Sequence, residues 1–405
     1  MIERVAMICV HSSPLDQPGT GSSGGMNVYV RALARALAAS DVEVDIFTRS
    51  ATTVQVVRDA PNVRVLALPI GPAGPLPKGA FGALGEAAAA AIAEQAGDEG
   101  RRYDVVHSHY WSSGLVGSLL AARWSVPLVH MFHTLSRVKS EFAGSPPDEV
   151  RAAGEQRVLD RADAIVVANA IERAQILDLY RGQDSRLVTI PCGIDPAPFL
   201  AHKRTRRRQV GDPFVVVALG RAERLKNFPL LLRAVAIAAA RDPHFGSSVR
   251  VQLAGGPSSD DPEVMPELQR LAGDLGIADR VNFVGPVPHE RVPELYAGAD
   301  LCVVPSRYES FGLVALEAMA AGLPVVATRT GGLQVTVDEG VNGYLVPTEG
   351  AEALASCLLA LWADPALCAQ LGTRGLRAAQ QYAWPVIADR IGCLYQALAA
   401  PVGVR

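Results

Sequence analysis

The amino-acid sequence predicts an α/β protein with two successive domains, each a parallel sheet covered by helices on both faces. Short, almost continuously apolar runs alternate with segments of helical length, a pattern typical of sheets buried on both sides. The alternation breaks around 191–196 and then begins again. The chain has 405 residues, enough for two or three domains of roughly 150 residues. We therefore expect domains at 1–195 and 196–384, followed by an amphipathic segment at 385–405.

The individual elements follow from short apolar runs bounded by turn residues and from the longer segments between them. In open parallel sheets, ligands bind beyond the carboxyl ends of the strands, so we expect loops of both domains to face one cleft. The predicted strands are 5–10, 42–47, 63–68, 103–107, 126–131, 164–168, 187–190, 214–219, 249–254, 281–284, 301–304, 324–327 and 344–346, and the main helices are 27–39, 83–95, 112–123, 149–162, 171–179, 229–240, 263–275, 311–321, 351–362, 365–381 and 385–399.

Composition and charge exclude several classes of function. The 38 Lys and Arg residues nearly balance 41 Asp and Glu residues, so neither a nucleic acid nor an acidic membrane is an expected partner. No run reaches the ~18 apolar residues of a membrane span, and the six cysteines are scattered without a C-x-x-C pair. We expect a cytoplasmic protein with reduced thiols. The basic run 202–208 is interpreted as a solvated linker, with a phosphate-binding arm as the alternative.

A glycine-rich loop follows the first strand. Gly19, Gly21 and Gly24 formally match G-x-G-x-x-G, but a proline-containing insert separates them from the strand. A dehydrogenase would also need an acid at the end of the second strand, where Thr48-Arg49 stands instead, and Asp45 lies inside that strand. Gly24-Gly25, just before a helix, favours close approach of an anion to the helix start. A flexible surface loop is the alternative.

Charged residues follow strands of the second half. Glu309 and Glu317 are eight positions apart, and Glu317 lies among apolar residues of a predicted helix. A carboxylate there should be paired or bind a ligand, and a ribose diol would suit it. Arg221 and Lys226 could flank a diphosphate, while Gly331-Gly332 would form a second close-approach loop. Surface ion pairs or helix caps are the alternatives for each residue alone.

These elements resemble a known family. The segment 307–317, with its E-x7-E pattern, together with Gly220-Arg221 and Lys226, is similar to the retaining GT-B glycosyltransferases of family 4. The resemblance implies two Rossmann-like, doubly wound domains facing a cleft, with the last helix crossing back to the first domain. It implies the following donor-site roles: Arg221 and Lys226 at the diphosphate, Glu317 at the ribose, and Glu309 with Phe311, Gly312 and Leu313 at the hexose. From the glycine-rich loop we expect the amides of Gly24 and Gly25 to bind the same diphosphate.

Motifs of the first half point to one branch of that family. The segments 11–29, 107–111 and 133–135 resemble the members that transfer N-acetylglucosamine from UDP-N-acetylglucosamine to 1L-myo-inositol 1-phosphate, the first step of mycothiol biosynthesis. His107 and His109 are interpreted as supporting or structural. The resemblance implies that Lys78, Tyr110, Thr134 and Arg151 grip the acceptor phosphate, that Asn27 contacts the inositol ring, and that His133 contacts the donor sugar and joins Arg221, Lys226 and Glu309 in catalysis.

The resemblance also sets the expected cofactors and leaves alternatives open. There is no Asp-x-Asp motif, so no metal or other cofactor is required, and Mg²⁺ bound without a catalytic role stays open. Small-molecule substrates and a homodimer are expected. Met131-Phe132 and a shortened 137–149 segment depart from the family pattern near the acceptor residues. They leave open a natural-product enzyme that uses another cyclitol or a thiol acceptor, with a UDP- or GDP-sugar. A non-catalytic sugar-nucleotide binding protein would have lost the acceptor residues.

Overall fold

The computed structural model of the chain describes residues 2–16, 24–74, 76, 78–144, 146–202, 208, 211–258 and 261–400. Within them the chain forms two compact units. Of the described residues, the first unit draws on those within 2–16, 24–193 and 384–400, and the second on those within 194–383. The chain therefore leaves the first unit after Gly193 and returns to it at Trp384.

The first unit is built on an eight-stranded sheet in the order β3-β4-β2-β1-β5-β6-β7-β8. All neighbouring strands are parallel except β3, which pairs antiparallel with β4. The strand β1 (Arg4–Ile8), in the middle of the sheet, is buried on both faces, as its continuous apolar run predicts. The strands are β1 (Arg4–Ile8), β2 (Glu43–Ser50), β3 (Gln55–Ala60), β4 (Val63–Pro69), β5 (Val105–His109), β6 (Leu128–Met131), β7 (Ala164–Val167) and β8 (Leu187–Thr189).

The edge strand β3 corrects the expectation of a purely parallel sheet. Its residues are mostly exposed, so they show no buried apolar run, and sequence periodicity gave no signal. Asp59 fastens this edge because its buried carboxylate accepts hydrogen bonds from Arg31 and Arg35 of the helix that precedes β2, in ion pairs of 2.7 Å each. Val56 is half exposed on this strand.

Helices cover the sheet of the first unit. The side chain of Asp148 caps α5 by accepting from the Arg151 amide, and Asn169 caps α6 in the same way. The short α4 was not predicted. The helices are α1 (Gly25–Ala38), α2 (Gly85–Asp98), α3 (Trp111–Trp124), α4 (Ser136–Ala143), α5 (Glu149–Arg161), α6 (Ala170–Leu179) and, after the second unit, α16 (Trp384–Ala399).

The last helix packs against α1 within the first unit, which confirms the predicted return of the chain. Its Tyr395 hydroxyl lies 2.6 Å from His107 Nδ1, and Trp384 meets the Tyr29 ring edge to face. Arg390 donates to the carbonyl of Thr189 at 2.8 Å. The helix therefore completes the core around β5 and also ties down the end of β8.

The second unit has a six-stranded, entirely parallel sheet in the order β11-β10-β9-β12-β13-β14. Its core is one continuous apolar cluster that includes Phe214, Phe228 and Phe245. Arg208, at the end of the basic run, lies over the Phe214 ring, whereas residues 203–207 of that run lie outside the described residues. The strands are β9 (Phe214–Leu219), β10 (Val249–Ala254), β11 (Val281–Gly285), β12 (Leu301–Val304), β13 (Val325–Thr328) and β14 (Gly343–Val346).

The long helices of the second unit lie where the sequence predicts them, and several short ones are additional. Asp242 caps α9 with its side chain, and Pro243 occupies the first helical position. The helices are α7 (Ala197–Ala201), α8 (Phe228–Arg241), α9 (Pro243–Ser248), α10 (Val264–Asp274), α11 (Val292–Ala297), α12 (Leu313–Ala320), α13 (Leu333–Thr336), α14 (Ala351–Ala363) and α15 (Pro365–Ala379).

Among the described residues, no single helix is both long and apolar enough to cross a bilayer. Only the bent pair Ala351–Ala363 with Pro365–Tyr382, with an angle of 104° between its halves, passes on length and composition.

Candidate active site

The predicted donor residues of the second unit gather at the carboxyl ends of β9, β12 and β13. The loop after β12 is held by the segment after β13. Thr330 donates its hydroxyl to the carbonyl of Arg307 at 2.8 Å, and the Gly332 amide donates to the carbonyl of Glu309 at 2.8 Å. These bonds fix the backbone on both sides of the Glu309 side chain.

Gly331 and Gly332 are required by this packing itself. Gly331 has a φ of +43°, and a Cβ there would lie 2.1 Å from the Glu309 carbonyl oxygen. A Cβ on Gly332 would lie 2.5 Å from the Cα of Phe311. The close-approach loop predicted for a ligand is thus used to bring two segments of the protein's own backbone together.

Lys226 and Glu309 form the central ion pair of this unit. The Lys226 Nζ lies 2.6 Å from Glu309 Oε1, and Ser306 donates its hydroxyl to the same oxygen at 2.9 Å. Burial lowers the Lys226 pKa, but the Glu309 carboxylate outweighs it and raises the pKa above its ordinary value. Two residues with separate predicted roles, at the diphosphate and at the hexose, are therefore in direct contact.

Arg221 lies in the same loop as Lys226 and pairs with a carboxylate of that loop, two positions further along the chain. One guanidinium nitrogen of Arg221 lies 3.5 Å from Glu223 Oε2. Gly220 precedes it, and a Cβ on Gly220 would come within 3.2 Å of the Lys226 side chain. The loop therefore presents two partly buried cations, each beside a carboxylate.

Glu317 is buried in α12 and is paired, as the physical argument requires. Its Oε1 lies 3.2 Å from Nε2 of His289, a residue that the sequence analysis did not single out. The hydrogen bond to Glu317 raises the pKa of His289. His289 also follows a strand, β11. This position after the carboxyl end of a strand is the sequence signal that could have identified it as a candidate site residue.

The start of α12 differs slightly from the prediction. Gly312 has a φ of +90° and caps the helix, so the first helical residue is Leu313 and Phe311 stays in the loop. The first amides of a helix have no acceptor within it, so those of Leu313 and Val314 are available at this end. Phe311 packs edge to face on Tyr382 at 5.7 Å between ring centroids.

In the first unit, Gly24 and Asn27 shape the beginning of α1. Asn27 is buried; its Oδ1 accepts from the Gly24 amide at 3.2 Å, and its Nδ2 donates to Ser12 Oγ at 2.8 Å and to the Ser13 carbonyl. Asn27 thus has a structural role beside the predicted contact with the acceptor ring. A Cβ on Gly24 would meet nothing within 4 Å, so the protein's own packing does not demand glycine there.

One predicted site residue, Lys78, and two glycines of the formal G-x-G-x-x-G match fall wholly or partly outside the described part of the chain. Gly19 and Gly21 lie outside the described residues. Lys78 begins a short 3-10 segment, Lys78–Leu84, but its side chain is outside what the structure describes. Gly25, by contrast, is the first residue of α1.

Tyr110, Thr134 and Arg151 come together in the first unit. Arg151 donates to both the carbonyl and the hydroxyl of Thr134, at 2.6 and 3.0 Å, and its guanidinium lies 4.9 Å from the Tyr110 ring centroid. The Tyr110 ring also stacks on His11 at 4.1 Å. Tyr110 has a φ of +73°, a conformation rare for residues other than glycine.

A buried carboxylate, Glu155, orients Arg151 from behind. Glu155 Oε1 lies 2.7 Å from Arg151 Nε, and both carboxylate oxygens accept from the Ser136 amide. Tyr180 donates its hydroxyl to the same carboxylate. Burial raises the Glu155 pKa, and the Arg151 and Tyr180 contacts oppose that rise. Sequence reasoning missed Glu155, although it lies one helical turn after Arg151.

His133 belongs to a group of imidazoles at the carboxyl ends of β5 and β6. His133 Nε2 lies 3.1 Å from Nδ1 of His109, and Tyr29 packs edge to face on His133 at 5.1 Å. His130 bonds Ser108 Oγ at 2.8 Å. Burial lowers the pKa of His133 to about 3 and that of His107 likewise to about 3, so these rings are neutral at pH 7.

Two other sequence features have a structural explanation. Met131 and Phe132, which depart from the family pattern, are buried in the first unit, and Phe132 packs against the His130 ring. Asp45 is buried and paired with Arg64 at 2.8 Å. In the described part of the chain, no group of three or more His, Cys, Asp or Glu side chains could hold a metal ion.

Comparison with known proteins agrees with this architecture. Residues 24–193 match the family described as a glycosyl transferase 4-like domain, and residues 202–377 match glycosyl transferases group 1. The solved sucrose-phosphate synthase from Thermosynechococcus elongatus is 34% identical, with a TM-score of 0.86, and the alignment covers 98% of this chain and 99% of that one. The chain therefore belongs to the GT-B glycosyltransferases, and its two domain matches fit a member of family 4.

Within that class, the chain is similar over nearly its full length to proteins named D-inositol 3-phosphate glycosyltransferase. The relative from Geodermatophilus obscurus is 42% identical over 98% of this chain and 90% of its own length. The relative from Kineococcus radiotolerans is 41% identical over 96% of this chain and 94% of its own. The predicted fold class of two α/β units with a returning last helix is confirmed.

Proposed function

We propose that this glycosyltransferase moves N-acetylglucosamine from UDP-N-acetylglucosamine to 1L-myo-inositol 1-phosphate, which is D-inositol 3-phosphate, with retention, as in the first step of mycothiol synthesis. The observation that carries the proposal is the assembly of Arg151 with Thr134 and Tyr110 in the first unit. An oriented guanidinium beside two hydroxyl groups is well suited to a phosphate ester. The names of the relatives at 41–42% identity point to the same acceptor.

The second unit supplies the groups for the nucleotide sugar. Lys226 and Arg221 provide positive charge for a diphosphate, so that charge developing on the leaving group is stabilised without a metal ion. Glu317, whose Oε1 lies beside His289, accepts from the ribose diol in this proposal. Glu309 and the first amides of α12 bind the hexose in this proposal.

Retention is proposed to follow from attack on the same face, through an oxocarbenium-like state. The bond from C1 to the leaving phosphate oxygen breaks while the acceptor hydroxyl oxygen bonds to C1 on that face. The leaving phosphate, or the phosphate of the acceptor, takes the hydroxyl proton. A glycosyl-enzyme adduct trapped on any carboxylate of the chain would contradict this mechanism.

The test is a nucleotide-release screen with purified protein. UDP-N-acetylglucosamine, UDP-glucose and GDP-mannose are each combined with 1L-myo-inositol 1-phosphate, free myo-inositol and a low-molecular-weight thiol. We expect release only with the first donor and the phosphorylated cyclitol, and a product whose anomeric configuration by NMR matches that of the donor. Turnover with free inositol or a thiol, and none with the phosphate ester, would contradict the proposed acceptor.

A second candidate is a transferase for another phosphorylated hydroxyl compound. The 34% identity to a sucrose-phosphate synthase over nearly the whole chain favours it. Fructose 6-phosphate in the same screen distinguishes the two candidates, because only this second function predicts release with a sugar phosphate acceptor.

A further inference from the structure

His109 and His133 form an imidazole pair inside the first unit. His109 is the last residue of β5, and His133 follows β6 in a turn with a φ of +62°. His109 Nδ1 lies 3.1 Å from His133 Nε2, and the two ring centroids are 5.3 Å apart. Tyr29 packs against both rings, at 5.8 and 5.1 Å. The turn and the packing hold the two nitrogens in hydrogen-bonding contact.

Both rings are neutral, so each carries one N–H and one bare nitrogen. Burial lowers the pKa of His109 well below its ordinary value, and that of His133 to about 3. A neutral pair with this contact has two arrangements: either His109 donates from Nδ1 to His133, or His133 donates from Nε2 to His109. The arrangement decides which nitrogen of His133 is protonated.

The other nitrogen of His109 distinguishes the two arrangements. Its Nε2 is buried and, among the residues that the structure describes, has no hydrogen-bond partner. If His133 donated, the His109 proton would lie on Nε2 as a buried N–H without an acceptor. If His109 donates, Nε2 is a bare nitrogen. Orphaned buried N–H groups are the rarer defect in folded proteins, so the second arrangement is favoured.

We propose that His109 is a positioning residue that donates its Nδ1–H to His133 Nε2 and thereby fixes the proton of His133 on Nδ1. His133 is only partly buried, and its Nδ1–H is then the group left to donate to a substrate. The inference rests on the proposed function for the nature of that substrate: a hydroxyl or phosphate oxygen of the glycosyl donor or acceptor. In this tautomer His133 stabilises developing negative charge and does not take the acceptor proton.

The tautomer is measured directly on the free protein by nitrogen-15 NMR of the histidine rings, with His133 assigned from a His133→Gln variant. We expect a protonated Nδ1 and a bare Nε2 on His133. In His109→Leu the donor is gone, and we expect the Nε2 resonance of His133 to move towards that of a bare nitrogen that accepts no hydrogen bond. Its kcat should fall about ten- to a hundredfold, the range seen when the orienting partner of a metal-bound histidine is removed, with a smaller change in KM.

His109→Asn and His130→Leu complete the test. The Asn side-chain amide can donate from nearly the position of Nδ1, so this variant should recover most of kcat and the wild-type Nε2 resonance of His133. His130 is equally buried but bonds Ser108, so His130→Leu should keep the His133 tautomer and kcat near those of the wild type.

A protonated Nε2 on wild-type His133, or an unchanged Nε2 resonance of His133 in His109→Leu, would overturn the proposal. Because the NMR experiment needs no substrate, an absence of transfer with the proposed substrates would refute the proposed function and leave the tautomer result standing.

Discussion

In the second unit the side chains of the candidate site are already paired: the Lys226 ammonium lies 2.6 Å from Glu309, and the His289 ring lies 3.2 Å from Glu317. In the first unit the imidazoles around His133 are neutral because burial lowers their pKa values, and Arg151 is the one cation of the set with a described side chain. The difference indicates two ways to prepare a site. Paired charges must exchange partners when an anionic ligand binds, whereas neutral donors need only be oriented.

The largest effect is expected at the paired charges. Lys226→Ala should lower kcat/KM at least about 10²- to 10³-fold, because it removes a cation for the leaving diphosphate. The matched control is Arg224→Ala, two residues away, since the Arg224 side chain is 58% exposed and makes only surface ion pairs. Steady-state kinetics with circular dichroism as a fold check measures both. Equal losses in the two variants would show that general surface charge, and not the Lys226–Glu309 pair, serves the donor.

Arg151→Ala tests the first unit. It should raise the KM for the phosphorylated acceptor far more than the KM for the nucleotide sugar, and lower the free energy of unfolding by about 3–5 kcal/mol, because Glu155 loses its buried partner. Arg157→Ala, at an exposed position of the same helix, is the control.

The double variant Arg151→Ala/Glu155→Gln separates the two effects, since it should regain stability without regaining acceptor affinity. Recovery of both would mean that Arg151 serves only the fold.

The two units should also differ in their response to acid. His107, His109 and His130 are fully buried and their folded pKa values are lowered, so the unfolded chain binds more protons below about pH 6.5. Each ring should then cost the first unit up to about 1.4 kcal/mol per pH unit as the pH falls below that value.

Burial raises the pKa of Glu172 to about 7 and also raises that of Glu155, and both shifts oppose the loss of stability at low pH. The imidazoles are more numerous and their pKa shifts are larger, so we expect a net loss of stability in the first unit. Hydrogen exchange read separately for peptides of each unit at pH 7.5 and 5 measures the difference. His130→Asn should reduce the slope of the free energy of unfolding against pH by the equivalent of about one proton. An unchanged slope would contradict the lowered pKa of His130.

The smallest effect is expected at His289. Its pKa is raised by Glu317, so its stabilising contribution is present below about pH 6.5 and is lost as the pH rises through the folded pKa. His289→Gln should lower the stability of the second unit by no more than about 1 kcal/mol at pH 6, because the ring is partly exposed, and leave it unchanged at pH 8. Exposed His244 provides the control variant His244→Gln, for which the same exchange measurement should show no change at either pH.

Local pattern was sufficient for most of the fold. Continuous apolar runs such as Val5–Ile8 are buried on both faces and therefore identify themselves in the sequence. The edge strand β3 carries exposed residues, and its pairing depends on the distant Arg31 and Arg35, so no local signal existed. The sequence Asp242-Pro243 is typical of a helix start and could have predicted the short α9, which hydrophobic periodicity did not detect.

The site was predictable in its chemistry and less so in its pairings. A buried carboxylate at Glu317 had to find a partner, but that the partner is His289, 28 positions earlier, is set by the fold. Gly331-Gly332 shows the opposite case. The glycine pair was rightly expected at a close approach, yet the group that approaches is the Glu309 backbone.

The return of the chain at Trp384 has a consequence for biosynthesis. When the ribosome has released residues up to Gly193, the first unit still lacks the helix that covers Tyr29 and bonds His107 through Tyr395. The second unit can form its own core before the last helix is synthesised. The second unit therefore completes its fold before the first unit does, although it is synthesised later.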